Sequence, residues 1–240
     1  MVKYNIDSFS FDDINKGKII LVDKPINWTS FDVVKYIRKS LQLKFKTKKI
    51  KVGHAGTLDP LATGLLIICI GKQTKNISEY QDLAKTYIGK FKLGETTLSY
   101  DAETDVIEKF KYEHITINDL KELANEFIGN SMQKPPIYSA IKKNGKRLYD
   151  YARKNKEVEI DEREIHIHNF EILDFISPYI KFKIECSKGT YIRTIANDFG
   201  KRLSSGSYLY ELRRTKIGAF SVLNALDIKS VSYTHLTLPT

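Results

Sequence analysis

Residues 53–71 read GHAGTLDPLATGLLIICIG. The first half is a glycine-rich loop. Gly53, Gly56 and Gly64 permit tight turns and close approach of the backbone to a ligand. The second half, 64–71, is an unbroken apolar run bounded by glycines and predicts a buried core strand. Asp59 stands between the two, followed by Pro60. Two readings of Asp59 are open. Asp-Pro is a common way to start a turn. A carboxylate on a rigid loop at the edge of a sheet is also well placed to do chemistry.

Working outward, residues 18–23 (KIILVD) predict a short buried strand. The turn KPINWTS follows and ends at Ser30, a residue suited to cap a helix. Phe31, Val34, Ile37 and Leu41 then recur at helical spacing to about Gln42. Residues 85–93 (KTYIGKFKL) alternate as a half-buried strand does. Residues 117–129 predict an amphipathic helix through Leu120, Leu123, Ala124 and Phe127. Residues 131–153 are broken by two prolines and a glycine and studded with basic side chains, which predicts a projecting basic loop running into a helix near Arg147. Two alternating strands, 163–174 and 178–186, flank a Ser-Pro turn, and 190–203 predict a helix. Strands and helices mix without regular βαβ repetition, so the expected fold class is α+β with a mixed, largely antiparallel sheet flanked by helices.

The chain has 240 residues, 42% apolar and 28% charged, which is the balance of a globular protein with a sizeable core. Its longest strongly apolar run, 65–70, falls far short of the roughly 20 residues of a membrane span. The N-terminus is polar and has no apolar signal segment. The last eleven residues, SVSYTHLTLPT, contain no Asp, Glu, Lys or Arg, so 230–240 are expected to lie outside the fold as a non-native or disordered tail. Cys69 and Cys186 sit in apolar stretches and read as buried, reduced thiols. No Cys or His spacing suggests a metal site, and His166 and His168 read as polar surface on one strand face.

Basic residues outnumber acidic ones by 39 to 29, a net charge of +10 that points to a polyanionic partner. Lys44, Lys46, Lys48, Lys49 and Lys51 cluster around Leu43, Phe45 and Ile50, the composition of a phosphate-gripping segment with an apolar anchor. In CSKGTYIRTIANDFG, 186–200, an inward-facing Arg193 would need an anion, either a phosphate or a carboxylate such as Asp59. Tyr87 is either a core tyrosine or a side chain that stacks on a base. No G-x-x-x-x-G-K-[ST], no G-x-G-x-x-G after a strand and no G-x-S-x-G is present. P-loop, dinucleotide and serine-hydrolase chemistry are therefore unsupported.

GHAGTLDPLATGLL resembles the catalytic motif of the TruB-type tRNA pseudouridine synthases. Other stretches resemble that family's motifs in the same order. DKPINWTS is similar to its Lys-Pro motif, and KTYIGKFKLGETTLSYD to the motif of its active-site tyrosine. QKPPIYSAIKKNGKRLYDYAR is similar to its RNA-clasping thumb, CSKGTYIRTIANDFG to its arginine motif, and YELRRTKIGAF to its closing motif. Asn27 stands where the family usually has glycine, and asparagine also tolerates left-handed backbone angles.

The resemblance implies a pseudouridine synthase fold over residues 1–229, with a thumb-like insertion at 131–153 and no C-terminal PUA-like domain. It implies isomerisation of a T-loop uridine in tRNA to pseudouridine, with no cofactor and no metal. Asp59 is then the catalytic carboxylate, attacking the sugar C1′ or removing the C2′ proton, and Arg193 pairs with it. Tyr87 stacks on the flipped uracil, His54 fills the vacated stack, and Leu212 packs around the target base. Lys44, Lys46, Lys48, Lys49, Lys51, Lys142, Lys143, Lys146 and Arg147 would grip phosphates. The implied enzyme is a cytoplasmic monomer that binds the tRNA T arm without membrane, guide RNA or obligate protein partner.

Overall fold

A computed structural model of the chain describes residues 9–143, 145–154 and 158–228. The expected tail at 230–240 lies outside the described residues. The chain divides into two compact units, one made of residues up to 87 together with those from 213 onward, the other of 88–212.

In the first unit the strand Thr63–Ile70 is central. It pairs antiparallel with Lys18–Lys24 (Ile20↔Ile68, Lys24↔Gly64) and also with Val52–His54 (His54↔Ile68). Its N-terminal end pairs in parallel with Arg213 and Arg214. Its unbroken apolar run has a physical reason. Leu66, Ile68 and Ile70 join one buried cluster with Val33, Val34, Ile37 and Leu41 of the helix Ser30–Lys44, while Leu65, Ile67 and Cys69 join a second cluster with Ala55 and Ile217. A strand covered on both faces cannot alternate. Burial pushes the Cys69 thiol up to about 11, so it stays protonated, as a buried structural cysteine should.

The helix is capped one residue earlier than its sequence signal suggests. Thr29, not Ser30, is the cap: its hydroxyl accepts from the Asp32 N–H at 3.0 Å, and the Asp32 carboxylate accepts from the Thr29 N–H at 3.1 Å. Ser30 is left free to bond a distant segment.

In the second unit, Arg163–Ile176 pairs antiparallel with Tyr179–Cys186 and with Gly129–Gln133. Phe91, Phe127, Phe170, Phe182 and Phe199 pack as one aromatic cluster, with Phe91 and Phe182 ring centroids 4.1 Å apart. The cluster joins the sheet to the helices Ile117–Glu126 and Ile192–Arg202. The first of these stops at Glu126, short of the expected 129, because Phe127 caps it and Gly129 opens a strand at φ 107°. The start of the expected projecting loop, 131–133, is thus sheet edge. Farther on, Lys142–Lys143 and Lys146–Arg147 form a small antiparallel ladder ahead of the helix Leu148–Ala152.

The expectation of an α+β fold with a largely antiparallel sheet is met. Two parallel pairings among the described residues, of Thr63–Ile70 with Arg213 and Arg214 and of Lys18–Lys24 with Leu226–Asp227, are each two residues long, against seven for Lys18–Lys24 on Thr63–Ile70. Among the described residues, no helix is long and apolar enough to cross a membrane.

Candidate active site

The loop 53–64 in the first unit is held by side chains and backbone of residues 24–30 and by Arg214. The hydroxyl of Ser30, 2% exposed, accepts from the Leu58 N–H at 2.8 Å and donates to the Leu58 carbonyl at 3.1 Å. Asn27, at φ 66°, donates its N–H to the Pro60 carbonyl at 2.8 Å. Asparagine therefore does here what glycine would do, since it tolerates the left-handed region. Lys24, fully buried, donates to the carbonyls of Pro25, Trp28 and Pro60 at 2.9, 2.6 and 3.3 Å.

From the far side, Arg214, 1% exposed, spends its guanidinium on three carbonyls. It reaches Leu65 at 2.8 Å, Gly56 at 3.0 Å and Thr57 at 3.4 Å. Gly64 is obligatory for this approach, because it sits at φ 104° and a Cβ there would run into the Arg214 backbone. Beside it, Arg213 grips the Asp23 carboxylate with two nitrogens. The loop backbone is thus bonded on both sides, and Asp59 is left half-buried at its turn, its carbonyl accepting from the Ala62 N–H.

The Asp59 carboxylate is electrically felt inside this frame. Burial lowers the Lys24 ammonium from 10.5 to about 8; Asp59 opposes the shift and Arg214 adds to it. Between pH 8 and 10.5 the unfolded chain holds a proton that the folded chain has released, so this group makes stability rise with pH across that window. Denaturant unfolding of the wild-type chain beside Lys24→Met should show wild type gaining roughly 2 kcal/mol on the variant over that range. An unchanging difference would mean that the ammonium is not desolvated.

His54, at the end of the Val52–His54 strand, is half-buried, and its Nδ1 has no hydrogen-bond partner among the described residues. Burial, aided by Arg214, lowers its pKa, so the imidazole is neutral at neutral pH and can stack without the cost of a buried charge. Tyr87 is buried on the strand Lys85–Leu93. Of the lysine cluster, Lys44 ends its helix rather than starting a loop, and its ammonium lies 5.2 Å from the centre of the Phe45 ring. Phe45 itself packs against the core, as an anchor should. Lys48, Lys49 and Lys51 lie on the stretch that follows and line a cleft beside it.

In the second unit Arg193 is 3% exposed, on the first turn of its helix. It donates to the carbonyls of Ser99 at 3.1 Å and Tyr138 at 2.9 Å, and its Nε lies 3.5 Å from the Asp101 carboxylate. Asp101 is 5% exposed and also accepts from the Ser99 hydroxyl at 2.6 Å and the Glu103 N–H at 2.9 Å. The inward-facing arginine read from sequence does meet a carboxylate, and within its unit that carboxylate is Asp101. Leu212 is half-buried. Lys142, Lys143, Lys146 and Arg147 stand together on the small ladder. Lys143 is already engaged there, donating to the Glu159 carbonyl at 2.6 Å and facing Asp161 at 3.4 Å.

Sequence reasoning missed Lys24, Arg214 and Asp101. Their signal was present but unread: each lies inside a family motif as an unremarkable charged residue, and only burial sets it apart. Among the described residues no group of three or more His, Cys, Asp or Glu side chains could hold a metal ion.

The model of the family "TruB family pseudouridylate synthase (N terminal domain)" matches residues 39–192. The chain is 53% identical over 214 residues to the tRNA pseudouridine synthase B of Flavobacterium johnsoniae, covering 89% of this chain and 93% of that protein. It is 50% identical over 206 residues to the tRNA pseudouridine synthase B of Parabacteroides distasonis, covering 86% and 88%. Among solved structures, a chain of a Cbf5-Nop10-Gar1 complex superposes with a TM-score of 0.68 at 26% identity, over 90% of this chain and 53% of that one. A chain of the archaeal box H/ACA sRNP Nop10-Cbf5 complex is alike in fold, with a TM-score of 0.66 at 22% identity, over 95% and 57%. The chain thus spans a little over half the length of these two solved chains, and nearly all of the two curated relatives.

Proposed function

Because the chain belongs to the TruB family of pseudouridylate synthases, we propose that it isomerises a uridine of tRNA to pseudouridine, in the T arm. The reaction breaks the C1′–N1 glycosidic bond, turns the uracil and forms a C1′–C5 bond. Atoms are conserved throughout. Asp59 is the carboxylate that acts on the sugar, either at C1′ or on the C2′ proton. A target stacked in a folded loop must first be flipped out, at a cost of a few kcal/mol. Tyr87 stacks on the extruded uracil, neutral His54 fills the space it leaves, and Leu212 packs beside it. Arg193 is the arginine of the family's motif on this reading, and within its own unit it is held by the Ser99 and Tyr138 carbonyls and by Asp101.

The observation that supports this reading best is the clamped loop: Lys24, Asn27, Ser30 and Arg214 bind its backbone from two sides, while Asp59 keeps its carboxylate at the turn. A group held that way needs little reorganisation when charge develops on the sugar. On the same reading, residues 1–229 are the catalytic domain and 131–153 clasp the RNA. The enzyme works in the cytoplasm as a monomer with neither guide RNA nor protein partner.

The test is incorporation of pseudouridine into an unmodified tRNA transcript, mapped by carbodiimide labelling and primer extension. One new stop, in the T loop, is the expected result. Binding without any stop would identify a non-catalytic tRNA-binding protein instead.

A further inference from the structure

A cleft of about 640 Å³ opens in the first unit between the helix Ser30–Lys44, the lysine-rich loop after it and the turn before the helix Ile77–Asp82. Arg38, Lys48, Lys49 and Lys51 line it together with the apolar side chains of Ile50, Val52 and Ile77. No Asp or Glu is among the residues that line it. Four cations around a concave surface without a carboxylate focus a positive potential into it.

The cleft is built rather than incidental. The Arg38 guanidinium donates to the Val52 carbonyl at 2.9 Å, and the Gln42 amide donates to the Lys48 carbonyl at 2.9 Å, so two helix side chains pin both ends of the lysine loop. Ile50 is anchored at 7% exposure. Gly53 lies so close to Ile77 that a Cβ there would stand 2.7 Å from its Cδ1. The volume is that of a ligand pocket, larger than one phosphate requires. A lining that mixes cationic and apolar side chains suits a unit with an apolar face and a charged edge, which describes a nucleotide. The strand Val52–His54 leads directly out of the cleft. Lys51 and His54 are three residues apart, about 10 Å along extended backbone.

We propose that this cleft holds one or two nucleotides of the RNA substrate, phosphates on Arg38, Lys48, Lys49 and Lys51 and a sugar or base on Ile50 and Ile77, as a second RNA-holding site beside the Asp59 loop. The proposal rests on the reading of the chain as a tRNA-acting enzyme.

Equilibrium binding of tRNA to the full chain, as a function of salt, tests it. Lys49→Glu with Lys51→Glu should weaken binding at least tenfold near about 0.1 M salt and reduce the slope of log Kd against log salt by about 1 for each phosphate no longer neutralised. Lys35→Glu with Lys39→Glu, an equal change of net charge on the neighbouring helix Ser30–Lys44 at side chains that do not line the cleft, should stay within twofold. Equal effects of the two pairs would reduce the cleft to general charge and overturn the proposal. If the Glu pair lowers the melting temperature, Lys49→Gln with Lys51→Gln must still weaken binding severalfold; unchanged binding there overturns it too. Ile77→Ala should weaken binding a few-fold with an unchanged salt slope, and full retention of affinity would remove the nucleoside from the apolar lining. Adenosine monophosphate distinguishes a free nucleotide from an RNA segment: millimolar amounts should leave tRNA bound, and displacement at micromolar amounts would overturn the RNA assignment. Pseudouridine formation by the unaltered chain is read separately. Its absence sinks the proposed function, while the binding comparison still decides the cleft.

Discussion

Asp59→Asn should abolish pseudouridine formation, by at least about 10⁴-fold, while tRNA binding stays within a few-fold. The amide keeps the size of the carboxylate, and the Ala62 N–H bonds to the backbone carbonyl of residue 59, which the substitution does not touch. What is lost is the negative charge that, in the proposed function, attacks C1′ or accepts the C2′ proton. Binding survives because it is spread over many phosphate contacts. Tritium release from a transcript labelled at uridine C5 measures the rate, and filter binding measures the affinity. If affinity, melting temperature and rate fall together, Asp59 is a turn residue and the catalytic assignment is wrong.

Arg214→Met should cost about 3–5 kcal/mol of stability and about 100-fold in kcat with little change in KM. Methionine fills the space but donates nothing, so the carbonyls of Gly56, Thr57 and Leu65 lose their shared donor. A buried acceptor left without a partner costs its full desolvation. Two of those three carbonyls belong to the loop that carries Asp59, so the slack appears where the reacting group is positioned. Arg213→Met is the internal comparison. Its pair with Asp23 is 42% exposed on the arginine side, and its loss should cost no more than about 1 kcal/mol. Chemical denaturation and single-turnover kinetics read both variants. A stable Arg214→Met chain with normal kcat would show that the loop holds its shape through the Lys24, Asn27 and Ser30 bonds without Arg214.

Much of this was legible in the chain itself, for reasons of spacing. The central strand announced itself because both of its faces are covered, and nothing but apolar residues tolerates that. The strands at 85–93 and 163–186 announced themselves by alternation, because one face of each is drier than the other. Asp59, Tyr87, His54 and Arg193 were singled out by motif resemblance. Boundaries were less so. Thr29 and Ser30 are both capping residues, and only the Leu58 backbone, 28 residues away, decides which one caps the helix and which one holds the loop. The strand at Gly129–Gln133 was hidden because its partner, Arg163–Ile176, lies some thirty residues downstream.

What the sequence by itself determined is the fold class and the family, with Asp59 as the candidate carboxylate, since these depend on local periodicity and on short runs of residue types. What only the tertiary structure decided is how the loop that carries Asp59 is held in one unit and how Arg193 is held in the other. Lys24, Arg214 and Asp101 look in sequence like any other charged residues of a basic protein. They differ because folding strips them of water, and a charge without water must take its partners from the backbone or from an opposite charge. That requirement is set by neighbours distant in the chain: 36 residues from Lys24 to Pro60, and 158 from Arg214 to Gly56.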